Sequence, residues 1–429
     1  MTAPKPPRVS RLSFEERRAF FIEGAARARL SEEQADAEAL LVRAEDPEAL
    51  RGLSETMIEN AVGFFALPWG LAEGFLIDGE LLHIPMATEE PSVVAAASLA
   101  AGLIRLGGGL HTQAAESIVT AQVWMERVPQ AKYALFLDAE SASDSPPRAE
   151  DHFPERRMPD AFAPEARALI GAMRARLAAL AGEALPNLAA RGGGFVSADV
   201  RALPELTGIL RIHAHLRVCD AMGANMANTF AEAAKPVLEE LFGGRALAAI
   251  LTNESAGRIA RARFSVPARA LRRGGTGGEE MARRIALFSE IAHHDRARAI
   301  TANKGIMNGI TALAIATGND SRAVEAAVHA WASAGGRYIP LSKYNFDGES
   351  LQGEIALPLP LASVSSTAKL HPGASLSLAF LGQPSAPRLA AIAAALGLAQ
   401  NFAALLALVG EGIQEGHMRL HERRRQAGD

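Results

Sequence analysis

A lysine stands between Asn303 and Gly305 in TANKGIMNGITALAIATGND (residues 301–320), a run whose only acid is its last residue, Asp320. A lysine partly withdrawn from water beside a carboxylate keeps its charge and becomes a fixed cation, suited to holding an oxyanion that develops on a carbonyl. Sixteen residues do not return to one helical face, so Lys304 and Asp320 meet only if the run bends or a loop intervenes; ATGND at 316–320 reads as that loop. A buried structural ion pair is the competing reading, and the stretch alone leaves both open.

A second stretch carries binding chemistry. In CDAMGANMANTFAEAAKP (219–236), a strand runs into Asp220, and small residues with Asn225 and Asn228 lead into a helix. Small side chains let a ligand approach the backbone, and a helix N-terminus offers free N–H groups to a pyrophosphate; an ordinary tight strand-to-helix turn has the same pattern. Other clusters are weaker. RRGGTGGEE (272–280) lacks the strand–turn–helix setting of a dinucleotide fingerprint and reads as a loop. His213 and His215 share one strand face without a third ligand, so no metal site is expected. His293-His294-Asp295 reads as a helix-end cluster, and the glycines at 192–194 as a turn.

The elements that must position these residues follow from pattern. Charged amphipathic runs make residues 13–45 helical. FLIDGELLHIP (75–85) places Asp78-Gly79 between two apolar runs, a hairpin signal. A helix is expected from Pro91, with Glu90 at its N-terminus. AESIVTAQVWMERV, AKYALFLDAES and GILRIHAHLRV read as strands and APEARALIGAMRARLAALAGEA as a helix, an α+β unit over 116–253 within a more helical chain. The Pro- and charge-rich 141–162 reads as an exposed, mobile loop. Helices are expected to dominate after 254.

Composition narrows the role. With 429 residues, two or three domains are expected; a net charge of −4 and a pI near 6.3 leave no basic footprint for nucleic acid or an acidic membrane. Cys219 is the sole cysteine, which excludes an internal disulfide and fits a reducing compartment. Neither a signal segment nor a membrane span is read, so a cytoplasmic protein is expected.

Seven motifs in order, ENAVGFFALPWG (59–70), EEPSVVAAAS (89–98), DAMGANMANT (220–229), NKGIMNGI (303–310), ATGND (316–320), LGLAQN (396–401) and EGIQEGHM (411–418), resemble the set of 3-hydroxy-3-methylglutaryl-CoA (HMG-CoA) reductase; NKGIMNG resembles its class II branch. The resemblance implies reduction of the thioester to mevalonate and CoA, or the reverse, by two NADPH or NADH in succession, via mevaldyl-CoA and mevaldehyde. It makes Lys304 the cation on the thioester carbonyl, Asp320 the group that tunes it, Glu90 the proton donor to the aldehyde and His417 the acid for the CoA thiolate. A carboxyl donor must be protonated, yet a helix start and a nearby lysine favour the anion, so desolvation or a partner must raise the pKa of Glu90. Gly410, Gly412 and Gly416 permit hinge motion beside His417. Arg298, Ser92 and Asn308 match substrate contacts, and Asp220, Gly223 and Asn225 the cofactor signature. No metal is implied.

The implied fold is α+β. A large, mostly helical HMG-CoA domain (1–115 and 254–386) carries an inserted small ferredoxin-like, non-Rossmann NAD(P) domain (116–253). A short helical C-terminal segment (387–429) carries His417. The implied assembly is a homodimer or higher even oligomer with its site at the subunit interface. Some positions depart from the family: Ala302 precedes Asn303, Ser365 and Ser366 replace glycines in SSTAKLHP, and twelve residues follow His417, so closure over the site is expected to differ. Leu185 and Pro186 occupy the region where NADH-preferring members carry an acid. The alternatives are a CoA-ester-binding homologue without turnover and a carbonyl enzyme in which Lys304 forms a Schiff base.

Overall fold

Ser13 opens the first helix with a capping box: its hydroxyl accepts from Glu16 N at 3.3 Å, and the Glu16 carboxylate accepts from Ser13 N at 2.7 Å. The computed structural model describes residues 8–27, 37–137 and 162–410. Within these, α1 (Phe14–Ala26), α2 (Ala37–Glu45) and α3 (Pro47–Met57) form the N-terminal layer, α3 started by Asp46 and Pro47. Phe21, Ala25 and Leu40 pack on Leu376 and Ala379 in a small cluster of their own.

Two sheets follow. The larger has the order β2-β1-β3-β8-β10-β9, from β1 (Trp69–Ile77), β2 (Glu80–Ala87), β3 (Leu110–Ala114), β8 (Ile259–Pro267), β9 (Ser342–Phe346) and β10 (Ser350–Pro358). Asp78 and Gly79 take φ of 52° and 86° at the hairpin tip, the left-handed pair that a two-residue turn requires. α4 (Val93–Arg105) makes the crossover to β3, which lies parallel to β1. The smaller sheet, β5-β6-β4-β7, comes entirely from chain between β3 and β8: β4 (Ile118–Glu126), β5 (Gly194–Ala202), β6 (Leu210–Arg217) and β7 (Arg245–Leu251), all antiparallel. One face is covered by α6 (Pro164–Ala184) and α8 (Ala224–Phe242), with α5 (Gln130–Ala134) and α7 (Pro186–Ala189) as single turns.

Past β8 come α9 (Gly278–His294), α10 (Arg296–Ala316), α11 (Ser321–Ser333), α12 (Ser366–Leu370), α13 (Pro372–Phe380) and α14 (Ala386–Val409). α14 has the length and hydropathy to cross a membrane, but 78% of its apolar window is buried inside the fold. α10 and α14 approach closely where glycines meet: a Cβ on Gly397 would lie 2.7 Å from Ile310 Cδ1, and one on Gly309 3.1 Å from Leu396 Cγ. The glycines of NKGIMNG and LGLAQN thus set a helix crossing.

Two expectations are corrected and one is filled in. The mostly helical part also contains a six-stranded sheet. Its β8, IARARFSVP, buries Ala260, Ala262, Phe264 and Val266 on one face, and alternate alanines give a weak strand signal because alanine favours helices. AKYALFLDAES is no strand where described: residues 130–134 form α5 behind Pro129, and Tyr133 and Phe136, three apart, both turn inward. The helix read from Pro91 begins at Val93, because Ser92 takes φ of 76° and turns the chain first. The mobile-loop expectation for 141–162 falls, but for residue 162, outside the described residues.

Candidate active site

α10 passes the loop between β2 and α4, and there Lys304 Nζ donates to Glu90 Oε2 at 2.8 Å. These side chains retain 61% and 39% of their exposure, so the pair contributes at most about 1 kcal/mol to stability. It is a charge pair open to solvent, 214 residues apart in sequence. Asn308 lies one helical turn beyond Lys304 on the same face, half-buried.

Two neighbours of this pair in sequence carry unmet hydrogen-bonding capacity. Ser92 holds a left-handed backbone, makes no side-chain cap to α4, and its Oγ is buried without a partner among the described residues. A strained non-glycine residue and an unsatisfied buried hydroxyl each cost about 1–3 kcal/mol. Arg298 Nε is likewise buried and unbonded; the guanidinium lies over Phe288, 5.0 Å from the ring centroid, and meets no carboxylate among the described residues. Burial lowers its pKa. Six residues put Arg298 about 9 Å from Lys304 along α10 and about 120° round it.

Asp320 does not meet Lys304 within the chain. α10 continues without a break through Gly305 and Gly309 to Ala316, so about 18 Å of helix separates Lys304 from its end. ATGND then starts α11 rather than folding back. Asp320 is the N-cap, accepting from the amides of Arg322 at 3.0 Å and Ala323 at 3.2 Å, and pairs with the Arg322 side chain at 3.2 Å. Burial pushes its pKa up, but the bonds from Arg322 and Ala323 outweigh this and hold it below the ordinary carboxylate range. His417, Gly412 and Gly416 lie outside the described residues.

At the second stretch, Gly223 is the N-cap of α8 with φ of 88°, and a Cβ there would lie 2.7 Å from Val218 Cγ1. Among the described residues no side chain caps α8 and its first amides stay open, with Asn225 exposed on the first turn. Asp220 acts within the fold, since its Oδ1 accepts from Ala386 N at 2.7 Å at the start of α14 and its carbonyl accepts from Ser363 and Val364. Asn228 Oδ1 accepts from Leu251 N at 2.9 Å. His213 and His215 face Gln122, at 2.7 Å, and Thr120 with Asp199, at 2.9 and 3.0 Å. Among the described residues no group of three or more His, Cys, Asp or Glu could hold a metal.

Sequence reasoning missed three ties. Asn303 is buried, bonding Ile339 O and Leu341 N; Asn319 bonds both polar groups of Ala362; Arg258, 4% exposed, bonds backbone carbonyls. The two asparagines stand in NKGIMNGI and ATGND beside residues with a chemical role, whereas Arg258 has no motif around it.

The sequence profile of the hydroxymethylglutaryl-coenzyme A reductase family matches residues 14–143 and 159–422. A 3-hydroxy-3-methylglutaryl-coenzyme A reductase of Archaeoglobus fulgidus is 41% identical over 373 residues, 86% of this chain and 77% of that protein. A probable one of Borreliella burgdorferi is 33% identical over 365 residues, 85% and 76% of the two chains. Among solved structures, the class II reductase of Streptococcus pneumoniae bound to NADPH in open conformations superposes with a TM-score of 0.79 at 38% identity, covering 94% of this chain and 99% of the other.

Proposed function

The chain belongs to the hydroxymethylglutaryl-coenzyme A reductase family, on its class II branch, and from that premise we propose that it reduces HMG-CoA to mevalonate and CoA with reduced nicotinamide dinucleotide. The observation that carries the reading is the Lys304–Glu90 pair at 2.8 Å, a cation and a proton carrier in contact at a water-accessible surface. A carbonyl oxygen approaching Lys304 Nζ meets a charge already fixed in place, which stabilises the negative charge that grows as the thioester, and then mevaldehyde, is reduced. Glu90 adjoins the same oxygen and, once it has taken up a proton from the water it faces, delivers that proton to the oxygen as the alcohol forms. His417 protonates the departing CoA thiolate.

The substrate chain has a carbonyl at one end and a carboxylate at the other. Arg298, half-buried and without a counter-ion among the described residues, about 9 Å along α10 from Lys304, suits that carboxylate. The unpartnered Ser92 hydroxyl and the half-buried Asn308 suit the polar groups between.

The residues around Gly223 fit a dinucleotide: open amides at the start of α8, and a backbone that admits no Cβ. The bound dinucleotide supplies hydride. Residues 185–194 hold no acid and lie beside this loop, Cys219 Sγ meeting Arg191 O at 3.5 Å, which supports acceptance of NADPH as well as NADH. We assign residues 116–253 as a ferredoxin-like cofactor unit inserted in the HMG-CoA unit (1–115, 254–386), with the C-terminal segment from 387 carrying His417.

The working form is a homodimer or higher even oligomer in the cytoplasm. Asp320 cannot reach Lys304 of its own chain, so the partner subunit's Asp320 is the one that would tune it. The segment after α3 offers a surface for that contact: Ile58, Val62 and Phe65 are 59%, 105% and 93% exposed, too many adjacent apolar residues for a solvated loop. The test is turnover: purified protein with HMG-CoA must oxidise two NADPH or NADH per thioester and release CoA. Binding of HMG-CoA without oxidation of either cofactor would refute the reading.

A further inference from the structure

Arg258 stands just before β8, where the chain leaves the smaller sheet for the larger. It is 4% exposed, and among the described residues its guanidinium meets backbone carbonyls and no carboxylate. Nε donates to Ile118 O at 3.1 Å and Nη1 to Leu361 O at 3.5 Å. Nη2 donates to Met222 O at 2.7 Å and Ala221 O at 3.4 Å. The Arg258 carbonyl in turn accepts from Leu359 N at 2.9 Å. Three pieces of chain therefore meet at the Arg258 side chain: the start of β4, the loop that opens α8, and the segment after β10.

A buried cation without a counter-ion is costly, and a seam between two sheets could be filled by an apolar residue. What Arg258 adds is direction. Burial lowers its pKa to about 10, so it stays charged at neutral pH. Its shortest bond holds the Met222 carbonyl. In a trans peptide the C=O and the next N–H point in opposite directions, so the Gly223 N–H faces away from the guanidinium. That amide donates to no acceptor among the described residues and adjoins the uncapped first turn of α8. The same loop is fastened to the other sheet's side by the Ala221–Val364 bridge and by Leu361, through Arg258 itself.

We propose that Arg258 is a positioning residue for the reaction: it turns the Ala221–Gly223 peptides so that their amides face the dinucleotide phosphates, and ties that loop to the segment leading from β10. This rests on the dinucleotide site proposed at the start of α8. It predicts that Arg258 governs cofactor affinity while leaving the CoA ester, held by other elements, unaffected.

The test measures NADPH binding and HMG-CoA binding separately by calorimetry, with steady-state kinetics beside them, for the wild type, Arg258→Lys and Arg258→Gln. Lysine keeps the charge but reaches fewer carbonyls; glutamine keeps a donor without charge. HMG-CoA affinity within twofold of wild type reports an intact fold, so whichever variant passes is informative. The expected result is NADPH binding at least tenfold weaker in both, and weaker in the glutamine variant, with the KM for NADPH raised more than kcat is lowered. Unchanged NADPH affinity, or parallel losses in thermal midpoint and in affinity for both ligands, overturns the assignment and leaves Arg258 a structural seam. Binding of NADPH without turnover in the wild type would refute the reductase reading while leaving this comparison decisive. A wild type that binds no dinucleotide would overturn both.

Discussion

Removing the cation separates chemistry from stability most sharply, because Lys304 is exposed where it acts. In Lys304→Ala the bond to Glu90 at 2.8 Å is lost, but both side chains are water-accessible, so the folding cost is at most about 1 kcal/mol. In a chain of this size that moves the thermal midpoint by no more than about 2–4 °C. The alanine leaves Glu90 solvated rather than buried and unpaired, so no large desolvation term is added. Catalysis responds on another scale: loss of one group facing a developing oxyanion lowers kcat by about 10²–10³, or about 2.7–4 kcal/mol, and a full charge with no substitute nearby belongs at the upper end. The assay follows the absorbance of reduced nicotinamide with HMG-CoA present, and HMG-CoA affinity and unfolding are measured on the same preparation. A tenfold or smaller loss of kcat with the fold intact would refute the role of Lys304. So would an activity loss that merely tracks a collapse in thermal midpoint.

Arg298→Met removes a half-buried guanidinium that meets no carboxylate among the described residues, so thermal stability should change little, while the KM for HMG-CoA rises about ten- to a hundredfold from loss of a charge-assisted contact of about 1.5–3 kcal/mol; unchanged KM would remove Arg298 from the substrate site. At Asp320, capping and charge can be separated, because Asp320→Ala should cost about 0.5–2 kcal/mol as a lost N-cap, whereas Asp320→Asn keeps the cap and loses only the charge. Because the folded-state pKa of Asp320 is depressed, its contribution is present above the unfolded value of about 4 and is lost as pH falls through the folded one; acid unfolding curves of the asparagine variant should lack that component. If the partner subunit's Asp320 serves Lys304, Asp320→Asn should also lose activity at unchanged stability. Phe65→Glu places a charge on a side chain 93% exposed in the single chain, so it should leave the fold intact but reduce the sedimentation coefficient toward that of a monomer, with activity falling in parallel; a fully active oligomer would place the interface elsewhere.

Local chemistry was legible wherever it depends on neighbours in sequence. Asp78-Gly79 specifies a hairpin tip because both positions need left-handed backbone, and Gly223 specifies the α8 start because any Cβ there meets Val218. The ordered motifs likewise pointed to Lys304 and Glu90, which the fold brings into contact.

What the sequence could not decide was which groups meet across long separations. Glu90 rather than Asp320 is the carboxylate on Lys304, because ATGND, expected to fold Asp320 back, instead starts α11 at the far end of an unbroken α10. The larger sheet hid for the same reason: alternating alanine and arginine in β8 make a strand only once β3 and β10 pair with both its edges. Arg258 shows the limit most plainly. One arginine between a glycine and an isoleucine carries no signal by itself, and it acquires a role only when four distant carbonyls close around it.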